Sequence, residues 1–303
     1  QADVKASTQA IELLEQHRDE PFFLAVGLIR PHVPLVAPKQ FYAPYPEQEM
    51  TLPEKRNGDW DDIPRAGISK NSKGSGLGGK LRKQREVLSA YYASVSFMDD
   101  QVGKILRKLD ELKLSENTIV IFTSDHGYHL GEHDFWQKLS LHEESTRIPL
   151  IVAAPGKPAG QSDSFIQQID IYPTLAELNG LTIPAHVQGK SFASVLDDPQ
   201  AKVHDTVYCL RGKDHLQRTE SLAYLRYRDG SEELYDMRTD PQQFTNLVGV
   251  PKYAKSLEMM QRLLTEKLIE IEVGKLPSLR PIDTEWRCPL RASRRSSRVP
   301  WHH

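Results

Sequence analysis

The chain has 303 residues, of which 39% are hydrophobic and 26% are charged, and this balance indicates a globular protein of one large or two medium domains. Its formal net charge of -2 excludes the strongly basic chains that bind nucleic acid through bulk charge, so we expect no nucleic-acid partner. Two cysteines are too few for a disulfide framework or a cysteine-rich zinc site, and no apolar run is long enough for a transmembrane segment.

The first eighty residues predict a helix, a strand and a long loop. Residues 7–17 place apolar side chains at helical spacing, and the apolar run at residues 22–27 predicts a central strand. Two prolines then flank His32 and hold the backbone extended, so this segment can aim a histidine accurately. Residues 38–79 carry many Pro, Gly, Lys and Asn residues and little periodicity, which predicts a long surface loop. Such a loop is either a substrate-binding lid or a solvated insertion.

The next part of the chain predicts an α/β core. Residues 80–112 carry the strongest helical periodicity, and residues 118–123 predict a strand that is buried on both faces. The order strand, loop, helix, strand predicts an α/β fold with a mostly parallel central sheet flanked by helices. Beyond residue 198, short strand-like runs separated by turns predict a small antiparallel sheet, and residues 255–273 predict an amphipathic helix.

These patterns divide the chain into three parts. Residues 1–198 form the predicted α/β core, with residues 38–79 as a loop insertion. Residues 199–274 form a small C-terminal subdomain with a sheet and a helix. Residues 275–303 contain prolines and several arginines but no apolar period, so we expect a disordered basic tail.

Polar residues directly follow the strand at residues 118–123. Asp125 and His126 leave this strand at its carboxyl end, where open α/β sheets bind their ligands. Adjacent side chains of a regular strand point to opposite faces, so these two can share a ligand only if the backbone turns. Gly127 permits such a turn. The sequence therefore predicts a site built on Asp125 and His126.

Six ordered blocks of the sequence resemble the sulfatases of the alkaline-phosphatase-like superfamily, in particular its iduronate-2-sulfatase-like members. The blocks are PFFLAVG with RPHVP at residues 21–34, YYASVSFMD at residues 91–99, TSDHGYHLGEH at residues 123–133, WQK at residues 136–138, TRIPL at residues 146–150, and ELYDM with TDP and NL at residues 233–247. A single block would carry little weight, but the order and spacing of all six match over roughly residues 7–270.

The resemblance implies a chemical role for four matching residues. Asp125 and His126 are implied metal ligands, and the metal is usually Ca²⁺, although the imidazole of His126 also suits a softer divalent cation. Lys138 is implied to contact the sulfate oxygens. His32 is implied to protonate the leaving alcohol, which a histidine that titrates near neutral pH can do.

Other residues of the same blocks have weaker implied roles. Tyr128 and Trp136 are candidate substrate-binding residues, together with the loop at residues 38–79. His129 and His133 are expected to be structural or to lie behind the metal ligands.

The resemblance also identifies what this sequence lacks. The nucleophile of the family is a formylglycine, made from the Cys or Ser of a Cys/Ser-x-Pro-x-Arg motif. This motif lies upstream of the matching blocks, as do two further metal-binding aspartates. Cys209 and Cys288 have no such context. We therefore expect the C-terminal part of a sulfatase, with a sheet that is incomplete on its N-terminal side and no activity alone.

The intact protein is then expected to hydrolyse a sulfate ester on a sulfated carbohydrate, in a secreted, periplasmic or lysosomal location. One alternative is a phosphatase or phosphodiesterase of the same superfamily. That class commonly uses more His and Asp ligands for two zinc ions, and the blocks around His32 and Lys138 argue against it. A second alternative is a non-catalytic binding protein on a degenerate sulfatase fold.

Overall fold

The computed structural model describes residues 1–69 and 75–274. Its N-terminal part contains two long helices, α1 (Ala2–Gln16) and α2 (Leu81–Glu111), which pack against each other. Across this contact, Oγ of Ser7 donates a hydrogen bond of 2.8 Å to Oε1 of Gln101. The helical periodicity of the sequence predicts both elements, and α1 begins at Ala2 rather than at residue 7.

The other elements follow in chain order. In the core they are β1 (Val120–Thr123), β2 (His129–Leu130), β3 (Trp136–Gln137), α3 (Glu143–Thr146), β4 (Leu150–Ala153), α4 (Ile171–Leu178) and α5 (Ala193–Asp197). The C-terminal part contains β5 (Thr206–Arg211), β6 (Asp214–Thr219), β7 (Leu222–Arg226), β8 (Glu232–Asp236) and α6 (Ala254–Gly274). Within residues 1–69 and 75–274, no helix combines the length and the apolar composition that crossing a bilayer requires.

The sheet next to the polar turn differs from the sequence prediction. β1 and β4 pair antiparallel, with Val120 opposite Ala153, so the expected parallel pairing is not observed among the described residues. β1 is half-buried rather than buried on both faces, and Ile151 of β4 is 63% exposed. Residues 22–27 lie outside any strand, because a strand needs a hydrogen-bonded neighbour and the described part of the chain supplies none. Phe23 is accordingly 83% exposed.

The C-terminal part is an antiparallel meander covered by a helix, as the sequence predicts. β5 to β8 pair in sequence order. One face packs against α6 through Tyr224 and Met260, and the other packs against the core through Leu225 and Leu141. The sequence does not predict β6, whose residues DHLQRT are mostly polar. The division of domains at residue 198 stays a prediction, and the basic tail at residues 275–303 lies outside the described residues.

The loop insertion is packed against the rest of the chain over residues 38–69, which argues against the alternative of a solvated insertion for these residues. Phe41 contacts Phe97 of α2, with ring centroids 5.4 Å apart. Nε1 of Trp60 donates to the carbonyl of His133 at 2.5 Å. Ile63 is only 5% exposed. The loop therefore contributes to the core on the side where the polar turn lies.

Candidate active site

Asp125 and His126 lie in a tight turn directly after β1. Oγ of Ser124 donates to the carbonyl of His126 at 2.9 Å, and Nε2 of Gln168 donates to the carbonyl of Ser124 at 2.8 Å. The carboxylate side chain of Asp125 is 84% exposed and the ring of His126 is 32% exposed. The backbone thus turns where the sequence predicts, and both side chains remain accessible.

The turn brings one possible metal-ligand atom of His126 close to one of Asp125. Nδ1 of His126 lies 2.8 Å from the carbonyl of Gly127, so this nitrogen carries the proton and donates it. In the neutral ring with this proton, Nε2 carries the lone pair and lies 3.5 Å from Oδ2 of Asp125. Two ligand atoms that are each about 2.3 Å from one cation, at a right angle, lie about 3.3 Å apart. The pair fits two positions of a divalent cation's coordination shell.

The remaining positions of such a shell are not supplied nearby. Among residues 1–69 and 75–274, no group of three or more His, Cys, Asp or Glu side chains is arranged to hold a metal ion. The Asp125–His126 pair therefore supplies two ligand positions by itself, and the two upstream aspartates that the resemblance implies stay a prediction.

Gly127 fixes the turn against α3. Its N–H donates to the carbonyl of Ser145 at 2.9 Å. A Cβ atom on Gly127 would lie 2.0 Å from the carbonyl oxygen of Glu144 and 2.9 Å from that of Arg147. No side chain fits between these backbones, so glycine is required here by the close approach as well as by the turn.

Lys138 lies just beyond the β2–β3 hairpin, on the segment that leads into α3. Gln137 precedes it with a φ of 69°, a left-handed conformation that is uncommon for a residue with a side chain. The side chain of Lys138 is half-buried. Its ammonium has no hydrogen-bond or ion-pair partner in the part of the chain that the structure describes. Such an ammonium is available to an anionic ligand.

Ser145 of α3 connects the Lys138 segment to the Asp125–His126 turn. Its carbonyl accepts the N–H of Gly127, and its Oγ accepts a hydrogen bond of 3.3 Å from Oγ of Ser140. Both serines are 4% exposed. A buried hydrogen-bond network therefore ties the turn and the Lys138 segment to one short helix.

His32 is positioned separately, by α1. Asp3 is 2% exposed, and its carboxylate accepts the backbone N–H groups of Ile29 at 2.8 Å and Arg30 at 3.1 Å. The N–H of His32 donates to the carbonyl of Ile29 at 2.8 Å, so the backbone turns here and is not extended as predicted. Nδ1 of His32 lies 2.7 Å from the carbonyl of Val33, which leaves Nε2 as the free nitrogen of an exposed ring.

The two candidate substrate-binding residues differ in exposure, since Tyr128 is half-buried and Trp136 is buried. The ring of Tyr128 lies 5.1 Å from that of Tyr91, and burial together with Tyr91 raises the pKa of Tyr128 to about 12. Its hydroxyl is therefore a neutral hydrogen-bond donor near pH 7. Trp136 is 3% exposed and packs over Gly131, so its side chain offers little surface to a ligand, and its substrate contact stays a prediction.

Three buried histidines, His129, His133 and His142, lie behind the exposed candidates. Burial and the two neighbouring imidazoles keep the pKa of His129 well below its ordinary value of 6.5. Burial also acts to lower the pKa of His133, but Oδ2 of Asp59, 3.0 Å from its Nδ1, outweighs this and raises the pKa. Nε2 of His142 lies 3.0 Å from Oε2 of Glu233, and both side chains are fully buried. The burial agrees with the structural role expected for His129 and His133.

Two residues of the C-terminal part hold the Lys138 segment, and the sequence does not predict these contacts. Nη1 of Arg211 on β5 donates to the carbonyl of Leu139 at 2.9 Å. The N–H of Glu143 donates to Oε1 of Gln243 at 2.8 Å, across 100 residues of sequence. Neither Arg211 nor Gln243 lies in a pattern that would single it out in one sequence.

Comparisons with known proteins agree with the sequence blocks. The Sulfatase family model matches residues 1–181, and the model for the C-terminal part of N-sulphoglucosamine sulphohydrolase matches residues 131–271. The chain is 32% identical over 268 residues to a sulfatase of Formosa agariphila, covering 86% of this chain and 53% of that protein. It is 34% identical over 273 residues to iduronate 2-sulfatase of Homo sapiens, covering 77% of this chain and 46% of that protein.

A solved structure shows the same fold. The structure of BT4656 in complex with its substrate D-glucosamine-2-N,6-O-disulfate matches with a TM-score of 0.77 and 21% identity, covering 90% of this chain and 70% of that chain. The alkaline-phosphatase-like fold class is thereby confirmed. The chain spans about half the length of the curated relatives it matches. Because the Sulfatase model covers more than half of its residues, this chain belongs to the sulfatase family.

Proposed function

We propose that this sulfatase hydrolyses a sulfate ester of a carbohydrate. The observation that carries the proposal is the hydrogen-bond network at Ser145. This network connects the turn of Asp125 and His126 to the segment that contains Lys138, whose ammonium is unpaired. A sulfate monoester carries spread negative charge, and positive groups stabilise the charge that grows on the leaving oxygen. The carbohydrate class is supported by the substrate named for BT4656, a disulfated glucosamine.

The proposal gives each candidate residue one role. Asp125 and His126 would hold a divalent cation, for which we propose Ca²⁺, and the bound cation would supply positive charge at the sulfate oxygens. Lys138 would bind the same oxygens. His32 would donate a proton from Nε2 to the leaving alcohol. The formylglycine nucleophile and two more carboxylate ligands would come from outside this chain, and the reaction would take place outside the cytosol.

The test uses the complete gene product carrying formylglycine, with a sulfated sugar and an aryl sulfate as substrates. Lys138→Gln should lower kcat/KM for both substrates by roughly 10²–10³-fold, because a charge that meets the transition state is lost. His32→Asn should lower it by roughly 10²–10⁴-fold for the sugar sulfate and by less for the aryl sulfate, whose acidic phenol needs no proton to leave. Asp125→Asn should raise the Ca²⁺ concentration required for half-maximal activity.

Matched controls are two exposed residues of the same types, Lys83→Gln and His17→Asn, which should leave kcat/KM unchanged. The proposed roles are wrong if Lys138→Gln and His32→Asn retain wild-type activity on the sugar sulfate. Faster hydrolysis of a phosphate monoester than of the matching sulfate monoester would favour the phosphatase alternative.

A further inference from the structure

A basic pocket lies at one end of the C-terminal sheet, and its lining contains none of the residues assigned to hydrolysis. It has a volume of about 410 Å³. The turn between β5 and β6, the end of β7 and the turn that follows β7 surround it. Its lining residues are Lys213, His215, Arg226, Tyr227, Arg228 and Gly230.

The three cations of this pocket form no close ion pair in the described part of the chain. The side chains of Lys213, Arg226 and Arg228 have no ion-pair partner within 4.0 Å among residues 1–69 and 75–274. Lys213 and Arg228 are exposed, and Arg226 is half-buried. Burial and the nearby Arg226 cation lower the pKa of His215, although Asp214 acts in the opposite direction. Arg226 therefore lies close enough to His215 to act on its charge.

The carboxylates near the pocket are engaged by other groups. Asp214 accepts Nη2 of Arg211 at 2.7 Å and the backbone N–H of Arg228 at 3.0 Å. Asp229 accepts the N–H of Ser231 at 3.1 Å and its hydroxyl at 2.6 Å. Glu232, opposite Arg226 across β7 and β8, accepts the hydroxyl of Tyr224 and Nε2 of Gln261. None of these carboxylates lines the pocket, whose lining is cationic and neutral.

The neutral groups suit an oxyanion as well. His215 lies opposite Arg226 on neighbouring strands, and its Nδ1 is 2.8 Å from the hydroxyl of Tyr208. Its Nε2 is therefore left for a ligand. Arg226 can present a planar fork of donors, which matches the oxygens of sulfate and similar groups. The sheet fixes this pair, while the two exposed cations can close over a bound ligand.

We propose that this pocket binds a tetrahedral oxyanion, namely a sulfate group carried by a glycan, at a place distinct from the site of hydrolysis. The choice of a glycan as carrier rests on the proposed function, whereas the oxyanion chemistry rests on the pocket alone. Lys213 follows Arg211 by two residues, and Arg211 contacts the carbonyl of Leu139, next to Lys138. The hairpin of β5 and β6 that carries Lys213 is thus joined to the Lys138 segment by this hydrogen bond.

The test measures binding to the full chain by isothermal titration calorimetry. The probes are a sulfated heparin tetrasaccharide, the same tetrasaccharide after chemical desulfation, and sodium sulfate. We expect the sulfated tetrasaccharide to bind, the desulfated one to bind at least tenfold more weakly, and sodium sulfate to compete. The double variant K213Q/R228Q should raise Kd for the sulfated probe by roughly tenfold or more, because two charge-assisted contacts are lost.

The matched control is R82Q/K83Q, which removes the same charge from two exposed cations of α2 and should leave Kd within about twofold. The arginine-rich residues 275–303 are present in every variant, so binding to them would be insensitive to K213Q/R228Q. A wild-type Kd for K213Q/R228Q overturns the proposal. So does equal binding of the sulfated and desulfated probes.

Lys138→Gln separates this proposal from the proposed function. If the pocket binds the probe, Lys138→Gln leaves most of the affinity and K213Q/R228Q removes it. The reverse result would assign the sulfate to the Lys138 site and overturn only the present inference.

As a measurement without variants, acetylation of Lys213 followed by mass spectrometry should slow when the sulfated probe is added, while acetylation of Lys83 should not. Unchanged labelling of Lys213 would likewise overturn the inference.

Discussion

Gly127→Ala tests whether the Asp125–His126 turn is held by a close approach of two backbones. The added methyl would lie 2.0 Å from the carbonyl oxygen of Glu144, 1.4 Å short of the 3.4 Å at which ordinary contact begins. Because this oxygen belongs to the backbone of α3, no side-chain rotation relieves the overlap. Overpacking of this kind costs about 1–3 kcal/mol, and losing the hydrogen bond from Gly127 to Ser145 costs about 1 kcal/mol more. We expect a loss of about 2–4 kcal/mol in the free energy of unfolding.

The assay is urea unfolding of the variant and the parent chain, followed by tryptophan fluorescence. The matched control is Gly27→Ala, because a Cβ atom at Gly27 would meet nothing within 4 Å. It should change the free energy of unfolding by about 0.5 kcal/mol or less. A loss below about 1 kcal/mol for Gly127→Ala, or an equal loss for both variants, would refute the close approach as the reason for glycine.

Three further predictions concern buried carboxylates. Asp3→Asn should cost about 1–3 kcal/mol in urea unfolding, because two backbone N–H groups lose a charged acceptor, whereas Glu12→Gln on the same helix should cost almost nothing. The pKa of His133 is raised above 6.5, so its stabilising contribution is complete below that pH and declines as the pH rises through the folded pKa. Asp59→Asn should therefore cost more near about pH 5.5 than near about pH 9, and a cost that grows with pH would contradict this. Burial raises the pKa of Glu233, but the imidazole and two tyrosine hydroxyls around it outweigh burial and lower the pKa below 4.5. The stability that Glu233 contributes is present above that value and is lost as the pH falls through the folded pKa. Glu233→Gln should therefore lower the free energy of unfolding by about 3–5 kcal/mol near neutral pH and by less near about pH 3. The same urea assay measures both values.

The helices could be predicted from the sequence because their signal is local. The apolar side chains of α2 recur at helical spacing over its whole length, and the prediction agrees with the structure to within one residue at each end. Strand pairing involves two segments that are distant in sequence, so the residues of one segment do not identify its partner. Residues 22–27 have a strand-like composition but no partner among the described residues. β6 has a polar composition but lies between two paired neighbours.

The candidate site could be predicted only in part, for the same reason. Asp125 and His126 stand out because polar residues follow an apolar run, and the structure places them in the turn that Gly127 permits. Lys138 stands out only through the family resemblance, since a single lysine after a tryptophan has no distinctive pattern. Ser145, which joins the two segments, is a small polar residue in an ordinary context and could be found only from its contacts.

The contacts of α3 give the C-terminal subdomain a part in the candidate site. The segment from Lys138 to α3 is held on one side by the turn at Gly127 and on the other by the meander, through Arg211, Gln243 and the His142–Glu233 pair. These contacts fix backbone carbonyls, a backbone N–H and a buried imidazole, so they restrain the path of the chain on both sides of α3. A free ammonium at Lys138 is useful only if that path is fixed. The meander and its helix therefore act as a support for the segment that carries this ammonium, although they contribute none of the four residues that we assign to metal, sulfate and proton.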